Sequence, residues 1–131
     1  MTRIALIVED EIFVAMDLER ILTDAGYSVA GIAADHDSAM KVAPGCGFAF
    51  VDVNLRDGPT GPAIAQRIAR DYGIKVVFVT ANPAQIGDAP EAIGYIRKPF
   101  SDAAILAAAQ LAADGVSTPH RDVVLPLPAR G

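Results

Sequence analysis

Apolar positions in this chain gather into short unbroken blocks, and amphipathic stretches lie between them. Ile4-Ala5-Leu6-Ile7-Val8, Phe48-Ala49-Phe50-Val51 and Val76-Val77-Phe78-Val79 are wholly apolar. That is the pattern of short strands covered on both faces. Tyr27 to Ala34 and Ala92 to Ile96 read as two further strands. Between the first two, Leu18, Ile21, Leu22 and Ala25 recur at helical spacing within a stretch from Ile12 to Ala25, and Gly26 supplies a left-handed stop. Asp35 is placed to cap a brief helix through Ala39 and Met40 that must end before Pro44. The turn-forming Asp57-Gly58-Pro59-Thr60-Gly61 precedes a helix with Ile64, Ala65, Ile68 and Tyr72 on one side. Pro83, Gly87 and Pro90 make any helix between Asn82 and Pro90 short or broken. Ser101 or Asp102 caps a last helix with Ile105, Ala108, Ala109 and Ala112 on its apolar face.

Strands that alternate with helices pair in parallel through right-handed crossovers, with helices on both faces of the sheet. The expected architecture is therefore a five-stranded α/β sandwich over residues 1–115. Residues 116–131 hold Pro119, Pro126 and Pro128 and no helical period, so they read as a tail, either loose or laid along the domain. The 131-residue chain is 52% hydrophobic, which suits one domain with a substantial core. A formal net charge of -5 argues against nucleic acid as a direct partner. No signal peptide and no apolar run approaching the roughly 20 residues of a membrane span is visible, so a cytoplasmic protein is expected. Cys46 is the single cysteine, which excludes an intrachain disulfide and reads as a small buried hydrophobe.

The chemistry lies where the apolar blocks stop. They end on Glu9-Asp10, Asp52, Thr80 and Lys98. In a parallel sheet the strand C-termini share one edge, where open α/β folds place their ligands. Magnesium takes oxygen ligands and keeps much of its water, so Asp10 and Asp52 suit direct ligation, Glu9 ligation directly or through water, and a backbone carbonyl near Asn54 the remaining share. Clustered carboxylates repel one another unless cations neutralise them, and Lys98 supplies one positive charge. A carboxylate so held can attack phosphorus and become an aspartyl phosphate, with Lys98 and the Thr80 hydroxyl meeting charge on the moving phosphoryl oxygens. His36 and His120 have no carboxylate or second histidine placed beside them and read as surface residues.

Val8-Glu9-Asp10-Glu11, Val51-Asp52-Val53-Asn54-Leu55, Val79-Thr80-Ala81 and Lys98-Pro99-Phe100, in this order on alternating strands, resemble the motifs of response-regulator receiver domains of two-component signalling. The resemblance covers residues 1 to about 115 and implies a flavodoxin-like strand order 2-1-3-4-5. It assigns Asp52 as phospho-acceptor, Glu9 and Asp10 as the acidic metal pair, Thr80 and Lys98 as sensors of the phosphoryl group, and Tyr95 as an aromatic switch. Lys98-Pro99 is expected as a cis peptide. By the same resemblance, Asn54 and Ala81 flank the place where members of the family tune phosphate lifetime. The implied cofactor is Mg²⁺. The implied partners are a sensor histidine kinase or histidine phosphotransfer protein and a downstream regulated protein, with a homodimer also open. Neither an enzyme activity of its own nor a membrane association is expected.

Two other readings fit some of the same residues. A magnesium-dependent phosphohydrolase with an Asp nucleophile usually needs a second Asp two residues on, where this chain has Asn54. A receiver-like scaffold would dock partners without phosphorylation. The stretch from Thr80 to Lys98 is shorter than receivers normally have, which implies a shortened fourth helix. Such segments occur in receivers that stand alone or accompany histidine kinases and stress-signalling regulators. A stand-alone receiver is the expectation, because no DNA-binding helix-turn-helix fits after Gly115.

Overall fold

The computed structural model describes residues 3–115 and the backbone of Val123 and Val124. Five parallel strands, β1 (Ile4–Val8), β2 (Ser28–Ala33), β3 (Phe48–Val51), β4 (Lys75–Thr80) and β5 (Ala92–Arg97), form the sheet. Four helices connect or follow them: α1 (Ile12–Asp24), α2 (His36–Val42), α3 (Gly61–Tyr72) and α4 (Asp102–Asp114). The strand order is β2-β1-β3-β4-β5, as the flavodoxin-like reading requires, and β6 (Val123–Val124) is added beyond β5. Among the described residues no helix is long and apolar enough to cross a membrane.

Alternation along the strands builds two cores. Ala5, Ile7, Phe48, Phe50, Val77, Val79 and Ile96 pack with Leu18, Leu22, Ile105 and Ala108 of α1 and α4. Leu6, Val8, Ala49, Val51, Val76 and Phe78 pack with Ala39, Ile64 and Ile68 of α2 and α3. Wholly apolar strands are thus explained by helices on both faces. The helix ends follow local chemistry. Asp35 and Ser38 form a reciprocal capping box on α2, and the Ser101 hydroxyl accepts from Ala104 N–H at the start of α4.

For the fold, the structure corrects the sequence reading at one place, Tyr72, and sharpens it at two. Tyr72, expected on the buried side of α3, lies in its last turn and is 43% exposed. The shortened fourth helix is reduced to one 3-10 turn, Pro83–Gln85, and the chain behind it is anchored by buried Ile86 and Ala89. The tail contributes β6, antiparallel to β5, with Tyr95 opposite Val124 and Ile96 opposite Val123. The remainder of the tail, including His120, lies outside the described residues.

Candidate functional site

Sheet register carries the reactive residues to one edge. Val8 pairs with Val51, so Glu9 and Asp52 follow side by side. Ladder hydrogen bonds continue past the strand ends: Glu9 N–H donates to Ala33 O, Asp52 N–H to Val8 O, and Lys98 N–H to Thr80 O, at 2.8 to 2.9 Å. These main-chain bonds fix the bases of the three side chains before any side-chain contact forms. Glu9, Asp52 and Lys98 also continue the alternation of Ile7, Phe50 and Ile96, so they fall on the same side of the sheet's edge.

At that edge Lys98 Nζ lies 2.8 Å from Glu9 Oε1, 3.0 Å from Asp52 Oδ2 and 3.1 Å from Glu11 Oε2. Sequence reasoning missed the Glu11 contact; the run Glu9-Asp10-Glu11 was its only signal. Asp52 accepts a second bond at its other oxygen, from Val53 N–H at 2.7 Å. Glu9 is 2% exposed, and its Oε2 accepts from Glu11 N–H at 3.1 Å. Its Oε1 is buried, and its one partner among the described residues is the Lys98 ammonium.

Burial pushes the Glu9 carboxyl up to about 7, with the Asp52 charge adding to it and the Lys98 hydrogen bond opposing it. Burial works to lower the Lys98 ammonium, but its bonds to Glu9 and Asp52 outweigh this and hold it above its usual value. One ammonium therefore sits among three carboxylates, too few positive charges to neutralise them all. Glu9, Asp10 and Asp52 each offer an oxygen, and these lie within 4.8 Å of one another. An oxygen-only donor set of clustered carboxylates, served by a single ammonium, fits a hard divalent cation.

Thr80, 1% exposed, accepts from Asn82 N–H through Oγ1 at 3.0 Å. Asp10, Glu11, Asp52, Asn54, Thr80, Ala81, Asn82 and Lys98 line a cleft of about 310 Å³. Asn54 Nδ2 donates to Gln85 Oε1 at 2.8 Å, which ties the loop after β3 to the 3-10 turn. Tyr95 is half-buried and packs on the α2 and α3 face, away from the charges. The Lys98–Pro99 peptide is cis. His36, read from the sequence as having no carboxylate beside it, faces one: its Nδ1 lies 3.2 Å from Asp37 Oδ1, a neighbour along the first turn of α2, and neither residue lines the cleft.

Gly61 has a role that the sequence does not announce. It opens α3, its N–H donates to Val53 O at 3.0 Å, and a Cβ there would land on the Asp52 carbonyl oxygen and 2.7 Å from Val53 Cα. The helix start can press against the Asp52 backbone only without a side chain.

A second concavity adjoins the cleft. Phe13, Val14, Met16, Asp17 and Arg20 of α1 face Ala81, Lys98, Pro99 and Phe100 across a groove of about 810 Å³. Phe13 is 83% exposed and Met16 52%. Phe13 and Met16 thus leave apolar surface in solvent beside the charged cleft.

A five-stranded parallel sheet in this order, with an acid–lysine cluster at its C-terminal edge, defines the receiver class. The family model of the response regulator receiver domain matches residues 5–110, and the chain belongs to that family. The phyllosphere-induced regulator PhyR of Methylorubrum extorquens is 35% identical over 107 residues, covering 78% of this chain and 40% of the relative. The transcriptional regulatory protein PdtaR of Mycobacterium tuberculosis is 30% identical over 115 residues, covering 84% of this chain and 56% of the relative. The chain thus spans about half the length of the curated relatives it matches. Among solved structures, the receiver domain of Erythrobacter litoralis PhyR superposes with a TM-score of 0.74 at 28% identity, covering 88% of this chain and 95% of that one.

Proposed function

We propose that residues 1–115 act as a phospho-accepting response-regulator receiver whose phosphorylated state switches a protein–protein interaction, residues 116–131 forming a tail. The observation that carries this reading is the position of Lys98 between Glu9 and Asp52, at the one edge where the cleft opens. Glu9, Asp10, Asp52 and the Asn54 backbone carbonyl would hold Mg²⁺. When bound, the ion supplies positive charge that neutralises the carboxylates and draws phosphoryl oxygens toward them.

The chain's own groups then act as follows. Asp52, already fixed by Val53 N–H and Lys98, presents a carboxylate oxygen to phosphorus. The P–N bond of a phosphohistidine donor breaks as the Asp52 O–P bond forms, and the electron pair leaves with the imidazole. Lys98 exchanges a carboxylate for a phosphoryl oxygen as partner. The Thr80 hydroxyl, now an acceptor for Asn82 N–H, turns to donate to the phosphoryl group, and Tyr95 follows on the neighbouring strand. No general base is needed, because a carboxylate nucleophile has no proton to give up as it attacks.

The donor is a sensor histidine kinase or a histidine phosphotransfer protein. An amphipathic helix fits the groove of Phe13, Met16, Pro99 and Phe100, which would bring a helix-borne phosphohistidine to the mouth of the cleft. A solved relative from Bartonella quintana is described as the anti-anti-sigma factor PhyR. By analogy the output here is a regulated protein rather than DNA.

Incubation with acetyl phosphate separates the readings. We expect a magnesium-dependent gain of one phosphoryl group that persists after the donor is removed. Rapid turnover of small phosphate esters would point to a phosphohydrolase, and no incorporation with or without magnesium would leave a docking scaffold.

A further inference from the structure

We propose that Gln85 is a positioning residue that lengthens the life of the phosphate on Asp52 by holding the Asn54 side chain. The inference rests on the reading of Asp52 as phospho-acceptor, and it concerns what happens after transfer.

Hydrolysis of an aspartyl phosphate needs a water in line with the bond between phosphorus and the Asp52 oxygen, arriving from the open side of the cleft. Most groups lining that side are carboxylates, a hydroxyl and an ammonium, which the metal and the phosphoryl group would engage. Asn54 and Asn82 alone among the cleft-lining residues carry neutral amides able to hold a water. Of these two side chains, that of Asn54 is bound to Gln85. An amide is planar, so a donor bond from Nδ2 to Gln85 Oε1 at 2.8 Å also fixes where the Asn54 Oδ1 points. While this surface-exposed bond to the 3-10 turn is made, the Asn54 head group is less free to hold an attacking water.

The tether has a firm foundation. Gln85 ends the turn that replaces a helix in this chain, and the next residue, Ile86, is buried in the core with Ala89 close behind. The turn thus holds the amide acceptor at the lip of the cleft, which a mobile surface loop would not do. The metal reading assigns the Asn54 backbone carbonyl to the ion, so its side chain is free for this separate task.

The experiment follows loss of phosphate from protein labelled with acetyl phosphate and Mg²⁺ and then freed of donor. Wild type, Gln85→Ala, Gln85→Glu, Asn54→Ala and the double variant Asn54→Ala/Gln85→Ala are compared. Losing one neutral hydrogen bond should shorten the phosphate lifetime of Gln85→Ala roughly three- to tenfold. Gln85→Glu keeps an oxygen for the Asn54 Nδ2 donor and should retain the wild-type lifetime. If Gln85 works through Asn54, truncating it in the Asn54→Ala background should change nothing further. A wild-type lifetime in Gln85→Ala, an equal effect in both backgrounds, or a Gln85→Glu lifetime as short as that of Gln85→Ala would overturn the inference. A wild-type protein that takes no phosphoryl group would overturn the reading beneath it, and the inference with it.

Discussion

Lys98 is the residue on which the site's charge balance turns. Its ammonium compensates Glu9 and Asp52, both buried, and reaches Glu11 at the surface. Lys98→Met should therefore destabilise the metal-free protein by roughly 3 kcal/mol in urea unfolding, because two buried carboxylates lose their partner. Magnesium should restore more stability to this variant than to wild type, since it replaces the missing cation; equal gains would contradict the assignment of Glu9, Asp10 and Asp52 as ligands. Gly61→Ala should cost roughly 1–3 kcal/mol by the same measurement, because its Cβ would meet the Asp52 backbone. Asp52, Thr80 and Lys98 were legible in the sequence because each ends an apolar strand, and strand ends in a parallel sheet share an edge. Glu11 was not, since its reach to Lys98 depends on how α1 leaves the sheet. Gly61 was not, because a glycine at a helix start usually reports only turn chemistry.

The proposed function gives outward roles to two elements, α1 and the segment between β4 and β5. α1 buries Leu18, Ile21 and Leu22, as the periodicity required, yet leaves Phe13 and Met16 in solvent. Periodicity cannot mark that exposure, because the groove owes its other wall to Pro99 and Phe100, brought in from the distant end of β5. Phe13→Asp or Met16→Asp should slow phosphoryl transfer from a protein donor roughly tenfold and leave transfer from acetyl phosphate unchanged. Equal slowing with both donors would place the effect in the cleft instead. Pro83, Gly87 and Pro90 did announce a broken helix, but not that Ile86 and Ala89 would pin the substitute loop to the core. Ile86→Ala should cost about 2 kcal/mol or more and raise amide hydrogen exchange across residues 82–91 before the rest of the domain. Uniform exchange across the domain would mean that the loop is not an independent unit.

For the molecule as a whole, the fold and the edge that carries the site were legible because one regular alternation of buried strands and amphipathic helices runs the length of the domain. The departures come where that alternation lapses. β6 arises from a two-residue pairing, Val123 and Val124, with no turn or periodic signal to reveal it. Tyr72 reads as buried by spacing, but it is the last residue of α3 and stands exposed. Neither departure touches the edge formed by Glu9, Asp52, Thr80 and Lys98. The central claim is that this edge makes Asp52 a phosphoryl acceptor. Borohydride reduction of the acetyl phosphate-treated protein, followed by peptide mapping, tests it most directly, since reduction converts an aspartyl phosphate to homoserine. The account predicts homoserine at position 52 in the presence of Mg²⁺, and none there with chelator or in Asp52→Asn. Conversion at another carboxylate, or at none, would contradict it.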